Sequence, residues 1–204
     1  MYAKDLSLLL HRKLSETLFY EETLKRFESL RGYGKLPRGR ANAGQRLTNE
    51  EIASAVLGFV PTHSGWAGHV ALIMGDLRPV GGIEASFQKT VSLRAAMAAM
   101  LSEDSCCKAL ISLTLSIARI PGNDEYQATL IFEEGGRRKV ASYVSKYAVS
   151  LMAAGAEKAF DHDCPLSSNT RQLVLSRAFF SGSQTRSRLI ATLEPAIGNG
   201  LARV

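Results

Sequence analysis

The densest run of side chains that could do chemistry is at residues 161–164, where Asp161, His162, Asp163 and Cys164 stand side by side. Carboxylate, imidazole and thiolate groups all bind zinc, but contiguous loop residues cannot all reach one metal ion. Other side chains would have to complete such a site, and the histidines and cysteines elsewhere in the chain are His11, His63, His69, Cys106 and Cys107. We therefore expect a polar loop at 161–164, and neither a metal ion nor another cofactor.

The pair His63 and Ser64 places a base beside a nucleophile. The serine is not in a Gly-x-Ser-x-Gly elbow, and the sequence indicates no carboxylate that would orient the histidine. The adjacent Cys106 and Cys107 lie where a helix is expected to meet a strand, a setting typical of small buried side chains. The Gly-Gly-Arg-Arg-Lys run at 135–139 lacks the spacing of a phosphate-binding loop. We therefore expect a protein that is not an enzyme.

The cysteine content and the N-terminal sequence bear on the cellular compartment. Three cysteines, two of them adjacent, do not make a disulfide framework. The Leu-rich run at 6–10 is interrupted by a histidine and two basic residues, so it is too short for a secretory leader or a membrane span. Apolar residues make up 46% of the chain and charged residues 22%, as in ordinary globular proteins. These features predict a folded cytoplasmic protein.

The net charge of +6 is concentrated towards the two ends of the chain. Residues 1–48 carry ten basic against five acidic side chains, and residues 171–204 carry five against one. Residues 31–46 contain basic residues, several glycines and a proline but no acid, which predicts an exposed arm. Such an arm can follow a phosphate backbone or enter a minor groove. The predicted contacts to nucleic acid in this arm are Arg31, Lys35, Arg38, Arg40 and Arg46.

Hydrophobic periodicity predicts helices through most of the first hundred residues. Residues 4–30 are expected to form one long amphipathic helix. Thr48 and Glu51 have the spacing of a capping box, so a second helix begins there, and Gly58 can end it. Four further segments are expected to be helical, at residues 66–77, 84–103, 146–160 and 170–180.

Between residues 109 and 145 the hydrophobic period becomes that of a strand. Three segments, at 111–117, 125–134 and 139–145, are separated by turn signals and predict a three-stranded antiparallel meander with one buried face. The residues expected on that buried face are Ile111, Leu113, Leu115, Ile117, Tyr126, Ala128, Leu130 and Phe132. The opposite face of the meander is polar and uncharged. An edge strand of this composition can pair with a second copy or a target protein. The residues expected on the polar face are Ser112, Thr114, Ser116, Gln127 and Thr129.

Residues 47–78 resemble the helix-turn-helix of bacterial DNA-binding regulators. The matching residues are Thr48, Glu51, Ile52, Ala53 and Val56 on the first helix, and 66–77 on the second. The resemblance implies that the second helix lies in the major groove of DNA, where His69 is the candidate base-contacting residue. The turn between the two helices is longer than the usual three or four residues, which is a departure from the pattern.

The expected fold is α+β, with an N-terminal helical half that contains the helix-turn-helix-like pair and a C-terminal meander packed with helices. We expect residues 1–104 and 105–204 as two units, with one continuous domain as the open alternative. The expected function is that of a non-catalytic DNA-binding accessory or regulatory protein of bacterial or phage type. The alternative is a protein-binding inhibitor or adaptor from a phage or mobile element, such as an anti-CRISPR-like inhibitor of a nucleic-acid-handling complex.

Overall fold

The computed structural model describes residues 1–14, 19–38, 45–120, 123–145 and 170–180. Within these ranges the fold is α+β, with most helices in the N-terminal half and an antiparallel sheet after them. The α-helices are α1 (Ala3–Leu14), α2 (Tyr20–Gly32), α3 (Asn49–Leu57), α4 (Ala67–Gly75), α5 (Leu93–Ser102), α6 (Asp104–Ala109) and α7 (Arg177–Phe180). The strands are β1 (Arg78–Pro79), β2 (Leu110–Ile120), β3 (Asn123–Glu134), β4 (Arg137–Val144) and β5 (Thr170–Ser176). None of the described helices is long and apolar enough to cross a bilayer.

The sheet has five strands in the order β1-β4-β3-β2-β5, where the sequence predicts three. The predicted meander is its centre, since β2 pairs with β3 and β3 with β4, both antiparallel. The two additional strands are at the edges. β1 contributes only two residues, which are too few to leave a periodic signal, and it pairs with Tyr143 and Val144 of β4. β5 pairs with β2, so the helix predicted at 170–180 is wrong for its first seven residues. Leu173 and Leu175 are buried and alternate with half-buried neighbours, which is the pattern of a strand.

The residues predicted on the buried face of β2 and β3 are buried, with one exception. Tyr126, Ala128, Leu130 and Phe132 of β3 are all buried, and so are Leu113, Leu115 and Ile117 of β2. Ile111 is the exception, because the register between β2 and β3 shifts between Leu110 and Ser112. Such a bulge inserts an unpaired residue into one strand. It brings Leu110 rather than Ile111 onto the buried face, opposite Phe132.

Two of the predicted helices are interrupted. The helix expected at 4–30 is divided into α1 and α2, and Phe19 before α2 has extended backbone angles. The division lets α1 pack against the start of α2, where the hydroxyls of Ser7 and Tyr20 are 2.9 Å apart. The helix expected at 84–103 is regular only in α5, whose N-terminus is capped by the side chain of Ser92. Before it, Gln88 and Lys89 have φ angles of 51° and 54°, which a continuous helix does not allow.

The start of α3 follows the sequence prediction closely. The hydroxyl of Thr48 accepts a hydrogen bond from the backbone N–H of Glu51, and the Glu51 carboxylate accepts one from the N–H of Thr48. This is a complete capping box, and Gly58 follows the last residue of α3 as predicted. A 3-10 turn at Ser64–Trp66 precedes α4, so the regular part of the second helix is shorter than the predicted 66–77.

One cluster of buried apolar side chains includes residues from both sides of residue 104. For example, the rings of Phe87 and Phe132 pack edge to face with centroids 5.1 Å apart. The division of the chain into two units at residue 104 stays a prediction. The helix predicted at 146–160, the polar loop at 161–164 and the tail from residue 181 lie outside the described residues.

The connection between α3 and α4 is held by a buried arginine of α2. Arg26 is 1% exposed, and its guanidinium donates hydrogen bonds to the backbone carbonyls of Gly58, Pro61 and Thr62 at 2.8–2.9 Å. It also lies 5.4 Å from the centre of the Phe59 ring. Carbonyls at and after the C-terminus of a helix carry partial negative charge, which favours a cation at that position. The path of the chain from α3 to α4 is therefore fixed relative to α2.

We expect Arg26→Met to lower the free energy of unfolding by about 3 kcal/mol, because it leaves buried carbonyls without their donors. Urea denaturation followed by circular dichroism measures the change. The matched control is Lys25→Ala, which removes an exposed cation paired with Glu22 on the same helix. This control should leave the denaturation midpoint almost unchanged. Equal midpoints for the two variants would show that the Arg26 hydrogen bonds contribute little to stability.

Candidate functional site

Three aromatic side chains line a surface pocket where the end of α2 meets the start of α4. Tyr33 and Trp66 are large exposed rings, with 47% and 46% of their surface accessible. The ring of His69 is 6.0 Å from that of Tyr33 and 6.3 Å from that of Trp66, centre to centre, and each pair is close to perpendicular. With Gly65 these three residues line an open pocket of about 290 Å³, which we call the aromatic pocket.

The aromatic pocket depends on a close approach of α2 and α4. The hydroxyl of Ser29 donates a hydrogen bond to the Gly65 carbonyl at 2.7 Å and accepts one from the Gly68 N–H at 3.0 Å. A Cβ atom added to Gly68 would lie less than 3.0 Å from the Ser29 carbonyl and from the Tyr33 ring. Only a glycine fits at this position without displacing its neighbours.

The basic side chain of Arg38 bonds to the end of α2 that leads into the aromatic pocket. The Arg38 guanidinium donates hydrogen bonds to the carbonyl of Arg31, at 2.7 Å, and to that of Gly32. Both carbonyls are at the C-terminal end of α2, where a positive charge complements the helix dipole. Arg38 is exposed, Arg31 is half-buried, and Tyr33 follows Gly32 directly. Arg38 therefore lies at the end of α2 that carries Tyr33, and nucleic-acid contact by Arg31, Arg38 and His69 stays a prediction.

The other predicted contacts are placed differently. Lys35 is half-buried among the charges of Arg94, Asp76 and Glu50, and desolvation, followed by the repulsion of Arg94, lowers its pKa. Arg46 is exposed and lies just before the cap of α3. Arg40 lies outside the described residues.

Most of the surface of α4 is buried, which limits the part of this helix that could contact DNA. Ala67, Gly68, Val70, Ala71, Met74 and Gly75 are buried. The other three residues, His69, Leu72 and Ile73, are half-buried, and two of them are apolar. A helix that lies along a major groove presents polar side chains to base edges over several turns. In α4 the polar and accessible part is the N-terminal end, next to the aromatic pocket.

The residues considered for catalysis and metal binding include two adjacent pairs in different parts of the chain, His63–Ser64 and Cys106–Cys107. Ser64 hydrogen-bonds with Glu22, and this bond together with that from Lys25 lowers the pKa of the Glu22 carboxyl. His63 is exposed and precedes the 3-10 turn. Cys106 and Cys107 are buried, and burial raises the pKa of both thiols, which disfavours the nucleophilic thiolate. Across the described ranges, no group of three or more His, Cys, Asp and Glu residues could hold a metal ion.

The two exposed rings of the aromatic pocket were not predicted from the sequence as functional residues. Tyr33 stands between two glycines, and Trp66 follows the Ser-Gly pair of the turn before α4. A large aromatic residue in a glycine-containing turn has few neighbours to bury it, and this setting is the sequence feature that indicates an exposed ring.

Comparison of the chain with protein-family models, curated proteins and solved structures finds no match.

We expect Gly68→Ala to lower the free energy of unfolding by about 1–3 kcal/mol, because the added methyl group overpacks the contact between α2 and α4. Thermal denaturation measures the change. Gly65→Ala is the matched control, since a Cβ atom on Gly65 has no other atom within 4 Å. The control should melt close to wild type, and a Gly68→Ala protein that also did so would show that the two helices can separate at little cost.

Proposed function

We propose that the protein is a non-catalytic nucleic-acid-binding protein of accessory or regulatory type, with DNA as the expected polymer. The observation that carries the proposal is the position of the exposed rings of Tyr33 and Trp66 beside the C-terminal end of α2, to which the Arg38 guanidinium bonds. Arginine and aromatic side chains are the residues that nucleic-acid-binding surfaces use for phosphates and bases, respectively.

Charge supports this choice of ligand. Residues 31–46 carry five basic side chains and no acidic one, so this segment of the chain favours a polyanion. Each basic side chain that approaches a phosphate releases condensed counterions, so the affinity should fall as salt increases. An acidic peptide would satisfy the same charges, but it would not use the flat faces of exposed rings as a base does.

We propose a contact between α4 and DNA that differs from the one implied by the helix-turn-helix resemblance. In the regulators that residues 47–78 resemble, the second helix lies in the major groove. Since most of α4 is buried, we propose that it meets DNA with its N-terminal end, where Trp66 and His69 are accessible. The arm at 31–46 would then contact the phosphates on one side of this end.

We expect the double variant Arg38→Ala/Arg40→Ala to bind duplex DNA more weakly and with a smaller salt dependence. Removal of one arginine–phosphate interaction should reduce the slope of log affinity against log salt by about 0.9. Fluorescence anisotropy of a labelled random-sequence duplex at several salt concentrations measures both quantities.

The matched control is Arg137→Ala/Arg138→Ala, which removes the same charge from the exposed turn end of β4. This control should retain most of the affinity and of the slope. An equal decrease of affinity in the two double variants would mean that net charge, and not the arm, determines binding. Wild-type protein that fails to bind any nucleic acid at low salt would exclude the proposed function.

A second candidate function is protein binding through the sheet, as an inhibitor, an adaptor or a homodimer. The observation in its favour is the sheet face opposite the core, which is half-exposed and uncharged at its centre. Thr129 of β3 lies there between Thr114 and Ser142 of the neighbouring strands. Among the described strands β5 has a neighbour on one side only, so its other edge could accept a strand from a partner.

If the sheet face mediates a homodimer, the wild-type protein should associate at micromolar concentration, and Thr129→Lys should shift it to monomer because the charge would be buried in the interface. Sedimentation velocity measures the change. The control is Ser102→Lys, which adds the same charge at an exposed site at the end of α5. A wild-type protein that sediments as a monomer would contradict the homodimer.

A further inference from the structure

We infer that the aromatic pocket holds an unpaired nucleobase, so that the preferred ligand is a single strand or a single-stranded stretch rather than a continuous duplex. The inference rests on the proposed function and names the substrate class of its site. Bases inside a duplex are stacked on one another and offer only their edges in the grooves. A base of a single strand can instead stack on an aromatic side chain.

The geometry of the pocket suits one flat ring system. Its volume of about 290 Å³ is at the small end of the range for ligand sites. Tyr33 and Trp66 each have nearly half of their surface exposed, and neither is stacked face to face on His69. Gly65 adds no side chain, so the space between the rings is open to an incoming base.

The surroundings of the pocket also select the charge of the ligand. Pockets built from several aromatic rings can bind ammonium cations through their π faces. Here the Arg38 guanidinium bonds to the carbonyl of Gly32, directly before Tyr33, and its charge repels a cation and attracts a phosphate. Glu22, which hydrogen-bonds with Ser64 beside Gly65, has its charge paired with Lys25 at 3.0 Å. A base with its attached phosphate satisfies both the rings and Arg38.

The pocket is held in place before any ligand arrives. Ser29 bonds to both Gly65 and Gly68, and Arg26 fixes the chain that leads to the turn at Ser64–Trp66. Because the backbone that carries the pocket is fixed in this way, less conformational entropy is lost when a base stacks on the rings. Stacking at such a position is tolerant of sequence, because every base has a π face.

The test uses the tryptophan at the pocket, which is the only one in the chain. Tryptophan fluorescence of the full-length protein is titrated with oligothymidylate of about 12 nucleotides, a length within the usual range of single-strand sites. A hairpin duplex with equal phosphates and an abasic oligonucleotide of the same length serve as the comparison ligands. We expect oligothymidylate to quench the fluorescence of Trp66 and to bind more tightly than either comparison ligand.

Variants then assign the effect to the pocket, with affinities measured by anisotropy of labelled oligonucleotides. Trp66→Ala should weaken binding of oligothymidylate roughly 10-fold and leave binding of the abasic oligonucleotide unchanged. Trp66→Phe should retain most of the affinity, and Gly65→Leu should reduce it by filling the pocket. The aromatic control is Phe19→Ala, because Phe19 is 82% exposed and precedes α2 at the end remote from Tyr33. Circular dichroism establishes that each variant is folded.

The outcomes separate this inference from the proposed function. Equal affinity for oligothymidylate and for the abasic strand, unchanged in Trp66→Ala, would overturn the base pocket while leaving phosphate binding intact. Tighter binding of the duplex than of the single strand would overturn it in the same way. Absence of salt-dependent binding to all three ligands would overturn the proposed function and the inference together.

Discussion

The buried guanidinium of Arg26 is the interaction on which the arrangement of the helical half depends. It places a positive charge among the carbonyls that follow α3, and it connects α2 to the chain segment that leads into α4. Without a donor at this position the carbonyls of the segment at 58–62 would lose their hydrogen-bond partner. The buried side chain of Arg26 therefore contributes to the position of Trp66, and with it to one wall of the aromatic pocket.

A second constraint, the close contact of α2 and α4 at Gly68, explains why the site is built from two distant parts of the chain. Helices approach this closely only where one of them lacks a side chain. The close contact brings the cap of α2 to the first turn of α4, so that Tyr33 and His69 face each other. The helix pair at 47–78 thus combines a largely buried second helix with an accessible N-terminal end.

Much of the fold was predictable because local chemistry determines it. The capping box at Thr48 needs only its own neighbours, and the alternation in β2 and β3 reflects one buried face. Predictions were wrong where tertiary contacts overrule local preference, as in β5, whose strand form requires β2 beside it. The aromatic pocket was not predictable as a site, because Tyr33 and Trp66 meet only through the packing of α2 on α4. The burial of Arg26 was not predictable either, because in the sequence it is one of two adjacent basic residues, and its neighbour Lys25 is exposed.

The turn end of β4 has a consequence for the behaviour of the protein at high concentration. β1 pairs with Tyr143 and Val144 of β4, and the next residue, Val80, donates a backbone hydrogen bond to the Ser142 carbonyl. Residues 137–141 therefore lie at an edge of the described sheet. That part begins with Arg137 and Arg138 opposite Glu134 and Glu133 of β3, followed by Lys139, which pairs with Glu134. All of these charged side chains are exposed. A strand from another molecule could add there only by displacing water from these charges. The hairpin therefore protects the sheet against edge-to-edge aggregation, and growth into fibres is disfavoured on this side.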